Sequence, residues 1–99
     1  MKMPQDIVME SLKSSLNASL ERLHLVQRHS SDDKRTPASD FVVLWKQNTT
    51  KGESWGTHRG TLRFDKDADK YRADFYWGHY DLTEEAALKD FEARCREIG

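Results

Sequence analysis

Residues Thr57 to Asp81 constrain this chain most. They read Thr-His-Arg-Gly-Thr-Leu-Arg-Phe, then Asp65-Lys-Asp-Ala-Asp69, then Lys-Tyr-Arg-Ala-Asp-Phe-Tyr-Trp-Gly. Two runs of alternating apolar and polar residues flank a short polar segment, the pattern of a β-hairpin. Leu62 and Phe64 share one face of the first run; Tyr71, Ala73, Phe75 and Trp77 share one face of the second. Two strands alone are not stable in water, so this apolar face needs a cover that the rest of the chain must supply.

The 99 residues fit one domain, 1–99, with a single modest core. Hydrophobic residues make up 36% and charged residues 33%, and the mean hydropathy is -0.88. Three Trp, three Tyr and four Phe nevertheless argue for a folded core, because disordered chains are poor in aromatics. A net charge of -1 creates no global field toward nucleic acid or membrane. Cys95 is the one cysteine, which excludes an internal disulfide and points to a reducing, cytoplasmic compartment. No apolar run approaches the roughly 18 residues of a membrane span. The N-terminus is amphipathic and lacks the apolar block of a signal peptide.

Val8, Leu12, Leu16, Leu20, Leu23 and Val26 recur at spacings of four, four, four, three and three. Pro4 suits the first turn of a helix. The spacing predicts one amphipathic helix from Gln5 to Arg28. Residues 29–40 (His-Ser-Ser-Asp-Asp-Lys-Arg-Thr-Pro-Ala-Ser-Asp) hold no large apolar side chain and read as a mobile linker between that helix and the first strand. Phe41-Val-Val-Leu-Trp45 reads as a strand apolar on both faces, hence a central strand or one with a helix over one face and a loop over the other. Asp81 or Thr83 caps a last helix whose buried stripe is Ala87, Leu88, Phe91, Cys95 and Ile98. The expected fold is α+β: a three-stranded antiparallel meander with two helices packed on one face, in the order α-β-β-β-α. The double-stranded-RNA-binding domain shares this order. That family's second helix opens with a phosphate-gripping lysine cluster, whereas this one opens Thr83-Glu84-Glu85-Ala86. Shared topology therefore carries no function here.

Chemical motifs do not survive inspection. Asp65, Asp67 and Asp69 have the spacing of a calcium loop, but Lys70 and Tyr76 occupy the positions that need glycine and glutamate. His24, His29, His58 and His79 have no spacing that converges on zinc. Cys95 falls on a helical apolar stripe, the setting of an inert thiol. There is no Gly-x-Ser-x-Gly elbow, and the glycines never cluster into a phosphate loop. The sequence thus implies no metal and no cofactor, and leans away from an enzyme.

One distribution is less bland. Under strict alternation, Arg59, Arg63, Lys70, Arg72 and Tyr76 face away from the apolar side of the hairpin, and Lys46 joins them. Residues 81–99 carry three basic against six acidic side chains, so a near-neutral chain becomes dipolar. The basic face, with Trp55, predicts a binding module that acts by protein–protein contact, through this open sheet face or the first helix. The expected partner is a protein, a second copy included. The alternative is a nucleic-acid-binding module on the same face. A third reading places a small molecule or anion at the corner of His79 and Tyr80, with His58 converging there.

Overall fold

The computed structural model describes residues 3–28, 38–65 and 67–99. Helix α1 spans Pro4–Leu16 and is followed by strands β1 (Ser19–Arg28), β2 (Ala38–Thr49), β3 (Gly52–Asp65) and β4 (Lys70–Leu82), then helix α2 (Glu84–Ile98). The architecture is α+β, and the sheet is four-stranded and antiparallel in the order β1-β2-β3-β4. A meander was expected, but with three strands. The fourth comes from residues 19–28, which the apolar spacing assigned to the first helix.

The physical reason lies at Asn17 and Glu21. Asn17 adopts the left-handed conformation (φ 51, ψ 39), and its amide bonds the Lys13 carbonyl at 3.1 Å, which closes α1. Asparagine tolerates this backbone better than most side chains. The pairing with β2 then slips between Leu20 and Arg22, leaving Glu21 as an extra residue. Such a bulge puts residues three apart on one side of a strand. Leu20 and Leu23 therefore meet the same core with helical spacing, and Leu25 follows by ordinary alternation.

β2 is central and buried without interruption from Phe41 to Trp45. Its odd residues Phe41, Val43 and Trp45 pack with Val8 and Leu12 of α1, Ala18 and Leu62. Its even residues Val42 and Leu44 pack with Trp55 and with Ala87, Phe91 and Ile98 of α2. Successive side chains of a strand point to opposite faces, so the two helices cover opposite faces of the sheet. They do not share one face, as the sequence reading expected. A strand apolar on both sides needs cover on both, because either bare face would expose a row of large side chains. The expected linker is also corrected: residues 38–40 belong to β2, the connection joins two strands, and residues 29–37 lie outside the described part.

Alternation along the hairpin holds from Arg59 to Phe75 and then breaks. Arg59 pairs with Tyr76, but Thr57 pairs with His79 and Trp55 with Leu82. Two extra residues have entered β4, and Trp77 (φ 52) and Asp81 (φ 56) carry positive φ values there. At the hairpin tip, Asp65 Oδ1 accepts from the amides of Asp67 and Ala68, so this carboxylate closes a turn. α2 begins as expected, with Thr83 Oγ1 accepting from the Ala86 amide at 3.2 Å.

β3 carries glycine where rings from β2 lie across it. A Cβ added at Gly60 would sit 2.2 Å from Phe41 Cζ and 2.5 Å from the Asp74 carbonyl oxygen. Gly60→Ala is therefore expected to destabilise the protein by about 1–3 kcal/mol, the usual range for overpacking. Urea unfolding measures this, and an unchanged midpoint would contradict the close approach.

Candidate functional site

Sequence reasoning placed His58, His79 and Tyr80 at one corner. The structure joins two of them and separates the third. On the α1 face, Trp45 Nε1 lies 2.9 Å from His58 Nδ1, and His58 Nε2 lies 2.9 Å from the Tyr80 hydroxyl. An indole N–H can only donate, so Nδ1 must be the accepting nitrogen and Nε2 carries the proton. His58 therefore donates to Tyr80 Oη. Burial, with the charges of Arg94 and His79 nearby, lowers the His58 pKa from 6.5 to about 4. Gly78 makes this contact feasible: a Cβ there would lie 2.3 Å from His58 Nε2 and 2.7 Å from Tyr80 Oη.

His79 points to the other face. Its Nδ1 lies 2.8 Å from Asp90 Oδ2, which also accepts from Thr57 Oγ1 at 2.5 Å. Arg94 Nη2 lies 2.7 Å from His79 Nε2, and Arg94 Nε 3.5 Å from Asp90 Oδ2. A consistent assignment has Nδ1–H donating to the carboxylate and Nε2 accepting from the guanidinium. The nitrogen that a nucleophile would use is thus occupied by Arg94. Burial pushes the Asp90 carboxyl up, but hydrogen bonds from Thr57 and His79 and the Arg94 charge outweigh it, leaving Asp90 below the usual range. The network ties α2 to β3 and β4.

Arg59, Arg63, Lys70, Arg72 and Tyr76 do share a face. The register sets Arg59 beside Tyr76, Arg63 beside Arg72, and Asp65 beside Lys70. This is the α2 side of the sheet, so the face is not open along its whole length as expected: α2 covers one end and leaves this strip. Arg63 pairs with Asp74 at 3.2 Å and Arg72 with Asp65 at 3.1 Å, which offsets two like charges set opposite each other. Trp55, expected at the surface, is buried under α2, because residue 55 falls on the same side as Leu44. Trp45 is also buried, so both lie in the core.

The exposed indole is Trp77, at 66%. Alternation assigned it to the apolar face, and the bulge turns it out. The Arg59 guanidinium carbon lies 5.1 Å from the Trp77 ring centroid, and the Tyr76 ring meets it edge-on at 4.9 Å. The Tyr76 hydroxyl is held in turn by Thr61 at 3.1 Å. Asp90, Arg94 and Trp77 were not among the candidate residues. The Trp77-Gly78 pair was a signal for the last of these, since glycine in a strand marks bulges.

A separate groove of about 690 Å³ lies between Ile7, Glu10 and Ser11 of α1 and Phe64 and residues 69–73 of the hairpin. It holds none of the histidines and no exposed tryptophan. Among the described residues, no group of three or more His, Cys, Asp or Glu could hold a metal ion, and no helix is long and apolar enough to cross a membrane. No family model, curated protein or solved structure matches this chain.

Two outcomes follow from this geometry. Acrylamide is expected to quench one strongly exposed tryptophan and barely reach the other two; Trp77→Phe removes the quenchable fraction, and uniform quenching would contradict the bulge. His58 has a folded pKa below its unfolded value, so the unfolded state binds more protons between pH 6.5 and about 4. Its contribution is full above pH 6.5 and falls as the pH drops through that window, by at most about 3 kcal/mol. His58→Gln flattens the fall in unfolding free energy measured by urea titration, and an equal slope in both proteins would refute the assignment.

Proposed function

We propose that this protein is a small binding module that acts through protein–protein contact, using the strip of β3 and β4 beside α2 that centres on Trp77. One observation carries the reading. A tryptophan, the residue most enriched at interface hot spots, stands two-thirds exposed on a backbone of positive φ, braced by Arg59 and Tyr76. A bulky residue in that conformation is a rare outlier, costing about 1–3 kcal/mol. Such strain persists where the surrounding fold enforces it, and it clusters at functional sites. The strip is favoured over α1, where the exposed large apolar groups are two flexible methionines, Met9 and the N-cap residue Met3. Protein is favoured over nucleic acid because Asp74 and Asp65 already engage Arg63 and Arg72. Affinity for a phosphate backbone rests on several basic groups free to displace counterions. The single cysteine, Cys95, forms no internal disulfide, which supports a cytoplasmic setting.

The test is quantitative affinity capture from host extract with immobilised wild type, Trp77→Ala and Met9→Ala, alongside sedimentation of the protein alone for self-association. A specific partner is expected to survive Met9→Ala and to bind Trp77→Ala at least about 30-fold more weakly, the loss typical of a hot-spot residue. Equal retention by Trp77→Ala would remove the strip as the contact surface.

A further inference from the structure

The chemistry of the strip says what the partner presents, on the reading that the strip is a contact surface. Its basic groups are not equivalent. Arg63 and Arg72 are each neutralised by a carboxylate of the same strip. Arg59 has no carboxylate within ion-pair distance among the described residues, and its Nε is buried without a hydrogen-bond partner. A guanidinium offers five donors in a planar fork suited to two-point binding of a carboxylate. The Trp77 ring also holds the guanidinium in place, which reduces the side-chain freedom lost on binding.

Trp77 supplies the second half of the recognition. Arg59 and Tyr76 contact its ring, yet two-thirds of the residue is still exposed. That surface accepts a flat or bulky apolar side chain. The two features lie side by side on one bulge.

We infer that the strip recognises an acidic segment of a protein partner in which one carboxylate stands beside a large apolar side chain: the carboxylate meets Arg59, and the apolar group lies on the Trp77 indole. Lys70, the strip's other cation without an ion pair among the described residues, stands at the hairpin tip beside Asp65, away from the Arg59–Tyr76 pair; the lone guanidinium beside the indole therefore suits one anionic group better than a polyanion. This distinguishes the acidic peptide from a nucleic-acid strand, which needs a track of free cations.

The experiment selects peptides from a random display library on the immobilised full chain, then measures the enriched consensus peptide by calorimetry. Enriched peptides are expected to carry Asp or Glu within two positions of Trp, Phe or Leu. Changing that acid to its amide in the peptide weakens binding to the unaltered protein at least about tenfold, the loss expected for a charge-assisted hydrogen bond. Arg59→Gln does the same, while Arg63→Gln leaves affinity near wild type. The peptide arm keeps the test valid if Arg59→Gln fails to fold. Peptides that depend on Trp77 but are indifferent to the acid-to-amide change would overturn the inference and leave the contact surface standing. A selection in which no enriched peptide loses binding to Trp77→Ala would overturn the surface itself. Binding of a single-stranded oligothymidylate in competition with the peptide would replace the acidic segment with nucleic acid.

Discussion

Everything in this structure answers to the five uninterrupted apolar residues of β2. Phe41 to Trp45 are all buried, and each such side chain contributes roughly 1.5–3 kcal/mol when withdrawn from water. A strand of that kind cannot lie at an edge or carry a solvated face. β1 and β3 flank it, α1 closes one side and α2 the other. Gly56 and Gly60 of β3 complete the fit, since they let the rings of Trp45 and Phe41 lie against backbone. The placement of α2 then decides which part of the hairpin's polar face is left to solvent.

Bulges do the remaining shaping. A plain strand repeats every two residues, but an extra residue stretches one step to three. In β1 this lets Leu20 and Leu23 reach the same core. In β4 two such steps in succession line up Tyr76, His79 and Leu82 on the α2 side, opposite Arg59, Thr57 and Trp55. The first of these steps frees Gly78 to lie under His58 and pushes Trp77 outward. One backbone irregularity thus creates both a polar chain running from buried Trp45 and His58 to exposed Tyr80 on one face and an exposed aromatic on the other.

The two histidine networks stand back to back across the sheet. His58 is surrounded by the rings of Trp45, Phe75 and Tyr80 and is held in one tautomer by a donor that cannot reverse its role. Arg94, buried within α2, is held through Nη2 by His79 and through Nε by Asp90, while its Nη1 is buried without a hydrogen-bond partner. Both ring nitrogens of His58 and of His79 are engaged by neighbouring side chains.

The sequence by itself determined the hairpin, the double-sided strand, the last helix with its Thr83 cap, and the clustering of Arg59, Arg63, Lys70, Arg72 and Tyr76 on one face. These depend on local periods and on short-range caps, which residues report directly. Tertiary structure alone decided the rest. Residues 19–28 became a strand because β2 needed a partner on its free edge, and a bulge there imitates the three-residue step of a helix. The helices went to opposite faces because both sides of β2 had to be covered; the strand records that need, but which element meets each side is set by packing between distant segments. Trp55 and Trp77 exchanged the roles that alternation gave them, since burial under α2 and rotation by a bulge depend on neighbours distant in the chain.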